Sequence, residues 1–291
     1  MKLTSLFFCC SANSADLISD DDALRAANVN NASSTSVGSS TKPAKAVKGR
    51  KPAAEADEPY SAARATVLFE RYADQDDPSV IGAEGLERLC NDAEISLEGS
   101  LPLILAWQFG ASEMARLSKE EWEKGTSRLQ VSSLSALSAA LHDLEDLLIL
   151  DKPPLKPPGN TASKKKPEPY WRVHYYQYAT TKAKAFSELY TFCFLLAKPE
   201  QARNIDMETA SAFWSVLVLP RYSLMQDILD FIQEKGTYKG VNKDLWSMVL
   251  EFCQSVSPTL ENYEADGAWP TMLDEFVTWK KANMPVDAEE K

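Results

Sequence analysis

Few residues in this chain have the types and spacing that chemistry requires. Asp74, Asp76 and Asp77 follow the run Phe69-Glu70-Arg71-Tyr72 and precede Ile81, the order of a helix leading into a calcium loop and its short strand. A calcium loop beginning at Asp74 needs glycine at position six and a bidentate glutamate at position twelve. Ser79 and Gly85 occupy those positions, and Pro78 is at position five. Too few carboxylates remain to replace calcium's water shell, so the segment reads as an EF-hand-like helix pair with a calcium-free loop. His142 and His174 are the only two imidazoles, too few for a His-rich metal site, and neither is tied by spacing to a nucleophile. Cys9, Cys10, Cys90, Cys193 and Cys253 are an odd, scattered set. They form no disulfide framework and fit a reducing compartment. The sequence has no G-x-G-x-x-G, Walker-type loop, H-E-x-x-H or C-x-x-C, and nothing in it asks for a metal or cofactor.

One segment offers chemistry of another kind. From Asp244 to Thr278 the chain carries Asp244, Glu251, Glu261, Glu264, Asp266, Asp274 and Glu275, with no Lys or Arg. Trp246, Tyr263, Trp269 and Phe276 are interleaved with them. Composition leaves two readings open. One is a solvated acidic face over an aromatic core, with Asp244 favoured in a first helical turn by the helix dipole. The other is a docking surface that steers a basic protein by its charge.

The charge distribution supports giving that segment weight. The chain has 31 Lys and Arg against 42 Asp and Glu, a net charge of −11. The first 59 residues hold seven of each sign, so the whole excess lies in residues 60–291. Nucleic acid is an unfavourable partner for such a chain, because phosphate contacts need Lys and Arg. Residues 1–59 read as a disordered low-complexity tail, with NASSTSVGSST at 31–41 and a basic, Pro-interrupted stretch at 42–52 that could serve as a nuclear signal. Cys9 and Cys10 could be acylated, but Lys2 excludes myristoylation. No apolar run approaches 18 residues, so no transmembrane segment is expected. The expected location is cytoplasmic, nuclear or both.

The elements that must position these residues are helical. From Tyr60 onwards the apolar spacing predicts helices over 60–73, 84–93, 99–109 and 133–149, with Pro102 in a first turn. A capping box at Ser223–Gln226 is expected to open a helix that Gly236 closes. Asn242 is expected to cap 243–256, and Pro270 to begin a last helix to about Lys280. Strand-type alternation is scarce, and the fold class predicted is all-α over 60–283, with a short C-terminal tail at 284–291. Residues 151–169 contain six prolines and five lysines against two acids and read as an exposed inserted loop. The aromatic run Tyr170–Tyr178 reads as a loop whose rings dock on the helical core, the alternative being a platform for stacking bases.

Taken together, several runs resemble the potentiating-neddylation domain of the defective-in-cullin-neddylation family. They are Lys243-Asp244-Leu245-Trp246, Asn262-Tyr263, Gly267-Ala268-Trp269-Pro270 and Leu273-Asp274-Glu275-Phe276-Val277. Upstream, Ile81-Gly82 with Gly85, Cys90-Asn91-Asp92, Ala106-Trp107-Gln108-Phe109, Ser118-Lys119-Glu120-Glu121 and Ala212-Phe213-Trp214 agree with it. The resemblance covers roughly 60–150 and 184–280. It implies a non-catalytic co-ligase, a scaffold that promotes attachment of a ubiquitin-like modifier to cullins. The implied partners are the cullin C-terminal winged-helix domain, the modifier's conjugating enzyme and the RING subunit of the ligase. A scaffold of this kind raises effective concentration and fixes orientation without an acid, base or nucleophile of its own.

The resemblance also implies sites. The family's Asp–Ala–Asp cullin-binding trio carries over onto Asp244, Ala268 and Asp274. Its apolar pocket for the acetylated N-terminal methionine of the conjugating enzyme maps onto Ala83, Leu86, Pro102, Leu105, Phe109, Met114, Ala115 and Leu117, with Leu196, Phe213 and Val216 from later helices. Acetylation removes the terminal charge, so that end can enter an apolar pocket without an ion's desolvation cost. The competing reading from the residues alone is an EF-hand-like calcium-responsive interaction module. The family's N-terminal ubiquitin-associated domain is not evident in residues 1–59, and the insertion around 151–183 departs from the family pattern.

Overall fold

The computed structural model describes residues 59–157 and 168–284. Its first half runs α1 (Ala62–Tyr72), β1 (Val80–Ile81), α2 (Ala83–Asp92), α3 (Leu101–Phe109), β2 (Leu117–Ser118) and α4 (Lys119–Leu129). A long helix, α5 (Leu134–Leu148), follows. Then come α6 (Val173–Thr180), α7 (Lys182–Ala197), β3 (Asn204–Asp206), α8 (Met207–Leu217), α9 (Leu224–Lys235), β4 (Gly240–Asn242), α10 (Lys243–Ser255) and α11 (Thr271–Asn283). The domain is all-α apart from two miniature ladders. β1 pairs antiparallel with β2, setting Ile81 opposite Leu117, and β3 pairs antiparallel with β4, setting Ile205 opposite Val241. Each ladder joins two helix–strand–helix units, which gives the EF-hand-like pairing expected for the first half and repeats it in the second.

Local chemistry sets most of the helix starts. Ser133 accepts a hydrogen bond from the Ala136 amide, Asp206 from Thr209 and Asn242 from Leu245, each satisfying an amide that has no partner within its helix. Ser118 and Glu121 form a reciprocal capping box at the start of α4. Ser223 does not behave as expected: it keeps helical backbone angles and its side chain caps nothing. The turn before it already supplies the bonds, with the Tyr222 amide on the Val218 carbonyl and the Met225 amide on that of Tyr222. Gln226 instead donates to Asp230, 2.9 Å away.

The aromatic run also departs from its expected form. Its rings do dock, with Tyr170 and Tyr175 buried, but Val173–Thr180 is a helix and not a loop. No side chain caps it. The extended segment 151–157 lies alongside, its Leu155 amide donating to the Tyr175 hydroxyl at 2.9 Å. Arg172 and the Tyr170 hydroxyl both bond the Asp143 carboxylate on α5, at 2.7 and 2.8 Å. Tertiary contacts therefore hold α6 where local signals are weak.

The core is continuous across both halves. Trp122 donates to the Ala65 carbonyl at 2.8 Å and fixes α4 to α1. In the second half Trp246 stacks on Tyr190, with centroids 4.4 Å apart, and on Trp214, 5.5 Å away. The halves meet where α7 packs on α3 and α5. Arg221, just beyond α8, reaches across this joint. It donates to the Leu148 carbonyl of α5 at 3.2 Å, pairs with Asp151 at 3.1 Å and covers the Phe186 ring at 4.4 Å.

Candidate protein-docking sites

The acidic segment folds as α10, a loop and α11 over one aromatic cluster. Phe252 is its centre, meeting Trp269 edge-on at 5.1 Å, Phe276 at 6.0 Å and Tyr263 at 6.2 Å. Salt-bridged Lys280–Asp227 (2.7 Å) and the bond from Trp279 to Glu234 (3.0 Å) pin α11 to α9. On this base Asp244 sits in the first turn of α10 and Asp274 in the first turn of α11. The helix dipole stabilises a carboxylate at both places.

The three residues of the expected trio are held differently. Asp244 is exposed, and its side chain makes no hydrogen bond or ion pair among the described residues. Ala268 is exposed beside half-buried Trp269. Asp274 is half-buried and its Oδ1 accepts a 2.6 Å bond from the Tyr263 hydroxyl. Phe252 links the loop and α11, and so Ala268 and Asp274, to the middle of α10. Asp244 stands eight residues upstream of Phe252, about 12 Å along the helix axis. The same segment also exposes Glu251, Glu261, Glu264 and Asp266. It can form ion pairs and charge-assisted hydrogen bonds with a basic partner, and it holds no nucleophile or proton shuttle.

A shallow groove opens on the first half, with about 220 Å3 of space that runs out into open solvent. Five residues of the expected methionine pocket line it: Leu86, Pro102, Leu105, Ala115 and Leu117. Ala106 and Ala111 add to the apolar wall, and Glu113 and Arg116, a 3.0 Å ion pair, form a polar part of the rim. Ala115 has φ 55°, a left-handed conformation unusual for alanine, which turns the chain from the rim into β2. Ala83 and Met114 are half-buried against the core without lining the groove, and Phe109 is buried behind it against Trp122, 5.3 Å away. Leu196, Phe213 and Val216 lie on α7 and α8 and do not line it either; Phe213 is wholly enclosed. Ala106 and Ala111 were not among the expected pocket residues, and the Glu113–Arg116 pair was missed because the expected lining was wholly apolar. The charges flanking Ala115 were the available signal.

The other chemical candidates are spent on structure. Asp74 Oδ1 accepts the Asp76 amide at 3.2 Å and Asp77 Oδ1 the Ser79 amide at 3.0 Å, so both carboxylates brace their own loop. Among the described residues no three His, Cys, Asp or Glu side chains converge as metal ligands would. Burial pushes the thiols of Cys90 and Cys253 up to about 12, and that of Cys193 higher still. They are protonated, enclosed and unreactive at neutral pH. His142 Nδ1 lies 2.9 Å from the Ser138 carbonyl of its own helix. Cys9 and Cys10, and the tail readings with them, fall outside the described residues. Among the described residues no helix is long and apolar enough to cross a membrane.

Residues 172–279 match a family described as Cullin binding. That span contains Asp244, Ala268 and Asp274, while the groove lies outside it. DCN1-like protein 4 of Drosophila melanogaster is 30% identical over 220 residues, 76% of this chain and 75% of that protein. DCN1-like protein 5 of Homo sapiens is 31% identical over 225 residues, 77% of this chain and 80% of that protein. The chain belongs to the DCN1-like family. Membership supports a role in cullin neddylation and agrees with a non-catalytic adaptor.

Proposed function

We propose that this protein binds the winged-helix domain of a cullin through Asp244, Ala268 and Asp274, and that it promotes cullin neddylation as a scaffold. The observation that carries the reading is the trio itself. Two carboxylates occupy helix first turns on either side of an exposed small residue, inside the span that matches the cullin-binding family. Arg and Lys of a partner can meet these carboxylates with charge-assisted bonds, and Ala268 allows close approach beside Trp269. The second end of the scaffold is the groove between Leu86, Leu105 and Leu117, which would take the acetylated N-terminus of the modifier's conjugating enzyme. Holding the charged conjugating enzyme and the cullin on one body, with the RING subunit alongside, narrows the orientations of the thioester towards its target lysine.

Calorimetry with a cullin C-terminal domain tests the first contact. Removing one member of a close interfacial charge pair costs about 2–5 kcal/mol, so Asp244→Lys with Asp274→Lys is expected to abolish measurable binding, as is Ala268→Arg. Wild-type affinity in the double variant refutes the assignment. A reconstituted transfer reaction tests the scaffold: the protein should speed modification of the cullin only when conjugating and activating enzymes are present. For the groove, an acetylated conjugating-enzyme peptide is expected to bind more tightly than the same peptide with a free amine, and equal affinities count against it.

A further inference from the structure

The two acids of the trio differ in how they are held. Asp244 is exposed and has no side-chain partner among the described residues. Asp274 has one oxygen engaged: the Tyr263 hydroxyl donates to its Oδ1 at 2.6 Å. Tyr263 is itself firmly held. Its ring lies edge-on to Phe252, and Lys281 covers the ring at 5.4 Å. Its amide donates to the Leu260 carbonyl at 3.2 Å. Next to it Asn262 clamps the loop, accepting the Ser257 amide at 2.7 Å and donating to the Ser255 carbonyl at 2.6 Å. The phenol is thus a donor fixed in the loop and placed to hold the Asp274 carboxylate. Burial, with the neighbouring carboxylate, pushes the Tyr263 hydroxyl up to about 12, so it stays protonated and able to donate.

We infer that Tyr263 is a positioning residue for Asp274: its hydroxyl holds the carboxylate in one rotamer and leaves its remaining acceptor positions to meet a cationic side chain of the partner. The inference rests on the cullin-docking reading and adds to it the residue that orients one of its acids.

A coupling experiment on the full chain tests it, using titration calorimetry against a cullin C-terminal domain. Tyr263→Phe frees Asp274 among its staggered rotamers and is expected to weaken binding about threefold to tenfold. In an Asp274→Ala background the same change is expected to have no further effect. A purely structural role for Tyr263 would weaken both backgrounds alike. Asp274→Glu keeps the charge but carries it past the phenol, and should lose affinity comparably, which provides a reading independent of Tyr263→Phe. Wild-type affinity in Tyr263→Phe or in Asp274→Glu, or an equal loss in the Asp274→Ala background, overturns the inference and leaves the cullin reading intact. Failure of the wild-type protein to bind the cullin domain takes down that reading and the inference with it.

Discussion

Replacing Tyr190 by Phe removes a single oxygen from the most enclosed polar contact in the second half. Tyr190, Trp214 and Trp246 are at most 2% exposed. The Tyr190 hydroxyl donates to the Trp246 carbonyl at 2.7 Å and accepts from Trp214 Nε1 at 2.8 Å. Phenylalanine keeps the ring, so the 4.4 Å stack on Trp246 survives, as does the bond from Trp246 Nε1 to the Tyr190 carbonyl. What is lost is two hydrogen bonds of about 1 kcal/mol each, and the Trp214 N–H is left buried without its acceptor, a penalty of about 1–3 kcal/mol. The expected destabilisation is about 2–4 kcal/mol, since part of the second cost is already counted in the lost bond. For a domain of this size it corresponds to a melting point lower by about 4–16 °C. Urea unfolding should show the midpoint move with an unchanged slope. A double-mutant cycle with Trp214→Phe should show coupling of about 1–2 kcal/mol, because the donor is then absent. A loss below about 0.5 kcal/mol, the scale of surface substitutions, would refute the assignment of this oxygen as a paired buried group.

Other expectations follow from packing and titration. Gly125→Ala puts a methyl 2.4–2.8 Å from three atoms of the Phe109 ring. It should destabilise the protein by about 1–3 kcal/mol through overpacking, against a helix-propensity gain of under about 1 kcal/mol; a rise in the urea midpoint contradicts this. Tyr72 and Tyr263 are pushed up to about 12 by burial first and by their carboxylate partners second, and Cys90 and Cys253 to about 12 by burial. The fold keeps protons that the unfolded chain releases near its ordinary values of 9.0 and 10.0. Their stabilisation is therefore complete below pH 9.0 and drains as pH rises towards about 12. Melting points measured from neutral pH upwards should fall steeply in that window, and a flat profile refutes the burial argument. Alkylation of the native protein at neutral pH should leave Cys90, Cys193 and Cys253 unmodified by mass mapping, and rapid labelling of any of them contradicts its enclosure.

Helices whose caps and periodicity are local could be read from the sequence to within a few residues. The helix expected over 133–149 spans 134–148 with Ser133 as its cap, and the one expected over 243–256 spans 243–255 with Asn242. Two helices that were not expected, α4 and α8, carry local caps at Ser118 and Asp206 that could have announced them; the other misses were non-local. α6 has no cap and follows a Pro-rich stretch, and its support comes from Asp143 and from the 151–157 segment. The β3–β4 ladder joins residues 34 to 38 apart (Asp206 with Gly240, Asn204 with Asn242), a pairing that no local pattern announces. Ser223–Gln226 has the right letters for a capping box, but the carbonyls of Tyr222 and Ser223 accept the Met225 and Gln226 amides instead. At the candidate sites, residue types and a family resemblance pointed to the acidic trio and to half of the groove. The Tyr263–Asp274 bond depends on how the loop folds back over Phe252, which spacing alone does not reveal.

Arg221 gives the molecule a property that neither end has alone. The groove belongs to the first half and the acidic surface to the second, and Arg221, together with the Lys182–Asp151 pair, bolts the end of α5 to the α7 and α8 side of the joint. On the proposed scaffold reading, guests at the groove and at the acidic surface would share a separation and an angle set by that bolt and by the α3–α7 contact. Loosening it leaves each seat as good as before while spoiling their alignment. A protein so altered would pass every test of occupancy with one guest and fail only when both must meet, which makes the joint a tolerance in the mechanical sense: the error it allows is the error the assembled complex inherits.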